Sequence, residues 1–483
     1  MDESVRPGQC PGRRAGDACV RGLDNQRGTL QSGHALRVSA DRADNTGGRM
    51  LAAGGDMAIR VTRELHNLKG TIASHGNTLL RAAMLDNTDG TIFTAAGRLV
   101  GQIAGQLRNH HGVIESKDDT GLSAGMVDNR EGALLSGGAL LVSAVDALEN
   151  QHGDIVAARG LRLLAETLNN QDGVIQSHSE EASLEINGDM TNRQGMILGE
   201  GVSISSQQLD NREGLLQASR QLSIDTRGHS LQNTGSQTPD SGIRSGGALT
   251  LSAGELVNQQ GLVASAGVME LAGDIRNTEG QILSHSDLTV HGTQLVNQQG
   301  QLVAGRDLQA RMAELNNQGG SVLAVGSGLL AVARLIQNTG GFIRAGESLT
   351  LSSERIENQE TRTPGKGIEA QRLLVSAGAL DNTRGALRAA AQLRAEVAGR
   401  LNNTLGVIWS RGTITLGQPE AALHLVNDQG DVVSVEDMAL FLRGLDAVGR
   451  ITSAASVALK ITGALIQNGT LAAGKDLEIR RVM

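Results

Sequence analysis

The chain has 483 residues, among them 64 glycines, five prolines, two cysteines and no aromatic residues beyond three phenylalanines and one tryptophan, which excludes a core anchored on aromatic rings. With 19% charged and 39% hydrophobic residues it is too apolar to be disordered, and a net charge of -8 argues against a nucleic-acid partner. No run of 18 apolar residues offers a membrane-spanning helix, and the glycines lack the three-residue period of collagen.

Residues 1–22 read as an irregular N-terminal segment. They hold no apolar stretch of signal-peptide length. Cys10 and Cys19 lie here, and two readings stay open: a disulfide closing a short loop, or two free thiols.

From residue 23 to 483 one repeat governs the chain. Leu23–Leu30 (LDNQRGTL), Leu85–Ile92 (LDNTDGTI), Leu168–Ile175 (LNNQDGVI) and Leu380–Leu387 (LDNTRGAL) are copies of one motif. Its anchor is an asparagine, and 16 of the 20 intervals between anchors are 19 to 22 residues. An apolar residue stands two before each anchor and a glycine stands three after it in 18 of 21 copies; Asn233, Asn358 and Asn468 are the exceptions. The anchors with their glycine are Asn25, Asn45, Asn67, Asn87, Asn109, Asn129, Asn150, Asn170, Asn192, Asn211, Asn258, Asn277, Asn297, Asn317, Asn338, Asn382, Asn403 and Asn427. The glycines are Gly28, Gly48, Gly70, Gly90, Gly112, Gly132, Gly153, Gly173, Gly195, Gly214, Gly261, Gly280, Gly300, Gly320, Gly341, Gly385, Gly406 and Gly430.

An aliphatic residue follows five after the anchor and a serine or alanine seven after it. Then comes a short alternating run such as Leu184-Glu-Ile186 or Leu349-Thr-Leu351, the period of a strand. One copy cannot bury its apolar side alone, whereas stacked copies pair strand on strand and enclose a narrow aliphatic core. The expected fold is therefore all-β: a parallel β-helix of about 22 coils with a repeat of about 20–21 residues, giving a rod of roughly 105 Å at the strand spacing. The asparagines are expected to hydrogen-bond from coil to coil as a structural ladder. The glycines supply either a positive-φ turn or a close backbone approach.

Leucine-rich repeats share the period, but their L-x-x-L-x-L-x-x-N order is absent. Residues 386–401 have helical propensity, yet Leu387, Leu393 and Leu401 fall on repeat positions, so strand is expected there too. Loop insertions are expected near 234–243, 359–368 and 417–424, around Pro239, Pro364 and Pro419, because proline cannot donate to a strand ladder. They read as binding loops or as tolerated surface insertions. A degenerate coil is placed near 440–455.

No residue pattern asks for catalysis, a cofactor, a metal or a small-molecule substrate. His75, His178 and His285 share one turn position but lie five coils apart, too far to share a metal. His110-His111 reads as a solvated turn. Asp24, Asp44, Asp86, Asp128, Asp210 and Asp381 stand just before an anchor and read as outward, solvated residues. On that phase, Asn170→Asp should cost a few kcal/mol and Asp128→Asn less than about 0.5 kcal/mol. A β-helical polysaccharide-active enzyme is the remote alternative; it needs clustered acids and aromatic sugar platforms, and the four aromatics here are scattered.

The pattern L-x-N-x-x-G-x-[IL]-x-[SA]-x(4–5)-L-x-[LIV] resembles the haemagglutinin repeat of filamentous haemagglutinins and of contact-dependent growth inhibition exoproteins, from about Leu23 onward. The resemblance implies a right-handed β-helical filament on a Gram-negative cell surface, exported by two-partner secretion through an outer-membrane transporter. The implied role is a non-enzymatic adhesive shaft in adhesion, biofilm or contact with a surface receptor, or else the rod of a toxin-delivery protein. A signal peptide, an N-terminal secretion domain and a C-terminal toxin are not recognisable, so the chain reads as a fragment of a longer filament or a degraded gene.

Overall fold

The computed structural model describes residues 20–419 and 423–481. Cys10, Cys19, Pro7 and Pro11 lie outside them. The described chain is all-β, with no helices, and forms a parallel β-solenoid of about 23 turns with a repeat of about 20 residues. It divides into two compact units: residues up to Gln232 with Thr238–Ser245, and Asn233–Gln237 with Gly246 onward.

In the first unit most coils hold three short strands, while Met196–Ser205 and Leu215–Asp225 each run two of them together. A typical coil is Met84–Asp86, Thr91–Thr94 and Leu99–Ile103. Each strand pairs in parallel with its counterpart one repeat later: Leu85 opposite Leu107, Ile92 opposite Ile114, Val100 opposite Gly121. One side of each strand therefore stacks like on like. Ile72, Ile92, Ile114, Leu134, Ile155, Ile175 and Ile197 form one such column, all essentially inaccessible. The first strand, Val20–Asp24, begins three residues before the expected boundary because Val20 and Gly22 already pair with Ala40 and Arg42.

The second unit repeats this plan with longer strands that continue around a corner, such as Leu308–Asn316 and Gly328–Gln337. Their pairing shifts by one residue between Met312 and Glu314, a bulge that absorbs the change from a 20- to a 21-residue interval. Residues 386–397, the segment of helical propensity, form a strand with Leu387 and Leu393 fully buried. Stacking overrides local preference there, because only the strand places both leucines in the aliphatic column.

The strands stop at Gln232, Glu357 and Leu416 and resume at Gly242, Gly367 and His424, so Pro239, Pro364 and Pro419 sit between strands. Near the degenerate copy, Asn427 pairs with Ala447, and Ala447 with Gln467. Asn468 therefore lies one residue past the anchor position, which corrects its assignment as an anchor. The pattern Ile466-Gln-Asn imitates L-x-N, but backbone pairing sets Leu465 in the leucine column.

Each fully buried leucine or isoleucine contributes roughly 1.5–3 kcal/mol, against about 1 kcal/mol for a net hydrogen bond. The aliphatic columns therefore supply most of the stability, and the polar turns select how coils align.

Candidate functional site: the asparagine turn and its outer corner

The turn after each pre-asparagine strand is the most constant part of the coil. In the first unit, Asn25 Nδ2 donates to Asn45 Oδ1 at 2.6 Å, Asn45 to Asn67 at 2.7 Å, and Asn109 to Asn129 at 2.8 Å, continuing to Asn211. In the second unit the rungs run from Asn233 through Asn258, Asn277 and onward to Asn427, at 2.7–2.8 Å. Each amide nitrogen also donates to backbone carbonyls: Asn109 Nδ2 reaches Gly112 O at 3.0 Å and Ala133 O in the next coil at 3.2 Å. These side chains are buried, so every donor and acceptor needs such a partner.

The column includes two asparagines that the glycine rule leaves out. Asn338 donates to Asn358, and Asn358 to Asn382. Thr361 stands where the glycine would be, and its hydroxyl donates to Asn358 O while accepting from Ala386 N. A hydroxyl thus replaces the missing turn contacts at the start of an insertion. Asn233, with buried Ser236 three residues on, likewise donates to Asn258.

The glycines serve close approach. A Cβ at Gly132 would lie 2.0 Å from Asn109 O of the preceding coil and 2.9 Å from Asn129 Oδ1. Positive φ belongs to the residue before each glycine instead: Arg27, Lys69, His111, Glu131 and Leu405 lie between +52° and +56°. With Gly112 N donating to Asn109 O, only the third turn residue is left-handed, the sign pattern of a type II turn. A non-glycine residue there costs roughly 1 kcal/mol. The stack offsets it, since His111 N donates to Arg130 O of the next coil.

Of the aspartates before the anchors, Asp24 is exposed as expected, Asp44, Asp210 and Asp381 are half-buried, and Asp86 and Asp128 are buried. Asp128 is 1% exposed and Asp86 8% exposed. Each bridges its own turn: Asp86 Oδ1 accepts from Thr88 N and Oγ1 at 3.1 and 2.6 Å, and Asp128 accepts from Arg130 Nε and Nη2 at 2.8 Å. Burial pushes the Asp128 carboxyl up, but the Arg130 hydrogen bonds and charge outweigh it and hold the group below its ordinary value. Asp44 and Asp381 are shifted down the same way, with burial opposed by Thr46 and Thr383. The solvated reading is therefore corrected for Asp86 and Asp128, whose side chains leave the core but fold back over the turn. Asp-Asn-Thr and Asp-Asn-Arg were the local signals for it.

His110 and His111 occupy one such turn and meet Glu131, which holds the left-handed position one coil later. His110 Nε2 lies 3.7 Å from Glu131 Oε1, and His111 Nδ1 lies 3.5 Å from Oε2. The signal in the sequence is the 20-residue offset between His111 and Glu131, one coil.

The family described as haemagglutinin repeat matches the chain at residues 15–60, 31–102, 102–194, 197–235, 221–292, 285–354, 364–418 and 442–480, most of its length. Neither a curated protein nor a solved structure matches it.

Proposed function

Because the chain belongs to the haemagglutinin repeat family, we propose that it acts as the structural and adhesive shaft of a secreted filamentous protein displayed on a Gram-negative cell surface. The observation that carries this reading is the division of labour within each coil. Asparagine and glycine are held constant inside, while the outer corner varies among arginine, lysine, aspartate, histidine and glutamine. A scaffold of that kind spans distance and presents side chains without needing a cleft. On this reading the partners are an outer-membrane two-partner-secretion transporter during export and a cell-surface receptor afterwards.

The test is adherence. Beads coated with the purified chain should bind host or bacterial cells more than beads coated with a helical protein of similar charge, and soluble chain should compete. Absence of competed binding overturns the adhesive role. Growth inhibition of neighbouring cells by the complete exoprotein would favour the toxin-delivery rod instead, and turnover of an acidic or neutral glycan would favour an enzyme.

A further inference from the structure

His110, His111 and Glu131 converge on one outer corner of two successive coils. Two imidazoles face one carboxylate at 3.7 and 3.5 Å, outside good hydrogen-bond distance. The rings lie 4.1 Å apart, centroid to centroid, at 64°. One ligand atom from each of the three residues falls within a 4.8 Å group, and among the described residues this is where three such donors converge.

Two imidazole nitrogens and a carboxylate oxygen form a donor set for zinc and its borderline neighbours. A metal about 2.0–2.2 Å from each donor, in tetrahedral geometry, sets neighbouring donors roughly 3.3–3.6 Å apart. The two imidazole-to-carboxylate spacings, 3.7 Å to Oε1 and 3.5 Å to Oε2 of Glu131, are near that value, and one ligand atom from each residue lies within 4.8 Å of the others, so small side-chain rotations bring the set together. The backbone beneath is fixed: Gly112 N donates to Asn109 O, Gly132 N to Asn129 O, and the Asn109 amide to Asn129. His111 and Glu131 share the left-handed corner at φ of 52° and 54°, which turns both side chains outward at the same place in successive coils. Arg130, the cation next to Glu131 in the chain, is held by Asp128 through two 2.8 Å hydrogen bonds.

We infer that this corner binds one divalent transition metal of the zinc class, clasping two successive coils and leaving a coordination position for water or a donor from a partner. The inference stands apart from the adhesive reading and survives its failure.

The test is a titration of the chelator-stripped full chain with zinc chloride against a chromophoric chelator, paralleled by cobalt(II) with its visible absorption. Substitutions come from the protein itself: glutamine occupies the His110 position at Gln151 and the left-handed position at Gln194 and Gln299. His110→Gln, His111→Gln and Glu131→Gln should therefore keep the fold, checked by unchanged far-UV circular dichroism and metal-free melting. The expected result is one saturable equivalent, weakened about tenfold or more by each single substitution and lost in the triple variant, with His178→Gln without effect. Zinc should raise the melting midpoint of the parent and not of the triple variant. No saturable equivalent, or one that survives the triple variant, overturns the proposal.

Discussion

Between Asn258 and Asn427 every coil passes a side-chain hydrogen bond to the next, whereas the coil built on Ala447 breaks that column and still stacks in register. Leu445, Ile451 and Leu459 are as buried there as their counterparts Leu425, Val432 and Leu440. What changes is the turn. Asn427 is three residues from its glycine, but Ala447 is two from Gly449, whose N donates to Asn427 O directly. The longer turn is bonded by the amide, with Asn427 Nδ2 donating to Gly430 O, whereas the shorter one bonds through its glycine backbone and places a buried alanine at the anchor position. Aliphatic columns and backbone pairing hold the register, while the asparagine is specific to the longer, left-handed turn.

Four substitutions, with Gly33→Ala as a control, would break or sharpen this contrast. The largest effect is expected for Gly300→Ala, whose Cβ would sit 2.1 Å from Asn277 O. It should lose about 3 kcal/mol or more in urea unfolding, whereas Gly33→Ala, with nothing within 4 Å, should stay within about 0.5 kcal/mol. Equal effects would remove close approach as the reason for the turn glycine.

Next is Asn170→Asp. The amide nitrogen that donates to Asn192 Oδ1, Gly173 O and Met196 O becomes an oxygen facing three acceptors. A loss of about 2–4 kcal/mol at neutral pH is expected. Such a buried carboxyl is raised above its unfolded value, so the deficit should shrink as pH falls and the group protonates. A deficit independent of pH would place the new carboxylate in water.

Asp128→Asn should cost about 1 kcal/mol at pH 7, more than a solvated residue would, because the hydrogen bonds from Arg130 to this buried carboxylate weaken. Since its folded carboxyl is held down, its contribution is present above pH about 4 and lost as pH falls through the lowered native value. Acid titration of the variant should show a flatter fall in stability over that range; an unchanged acid limb would sink the assignment.

The smallest change is expected for Ala447→Asn. The turn is one residue short for the amide, so no stabilisation beyond about 0.5 kcal/mol should appear by thermal melting. A gain of a full hydrogen bond would mean the rung, not the turn length, is what that coil lacks.

The repeat, its strand character and the aliphatic positions were legible because one residue type recurs at one phase of a fixed period. The left-handed corner was not, since Arg27, His111 and Leu405 share no local preference for it; neighbouring coils impose the conformation. The burial of Asp128 was hidden by reading the coil as a simple in-and-out alternation, when its partner Arg130 lies only two residues on. Asn358 escaped the glycine rule because the hydroxyl of Thr361 does the same bonding work. The corner cluster of His110, His111 and Glu131 needed the coil register before residues 20 apart became neighbours.

The gap at Ala447 has a mechanical meaning. Backbone hydrogen bonds in a parallel stack point along the stacking direction, so tension along that direction loads successive coils in series and strands within a coil in parallel. A series arrangement is as strong as its weakest junction. In the second unit the junction above Asn427 has no asparagine-to-asparagine rung, and the side-chain load there passes instead through Asn427 Nδ2 to Arg450 O, His424 to Asp446 and Arg450 to Asp431, so the side-chain strength of that junction comes from bonds other than the rung.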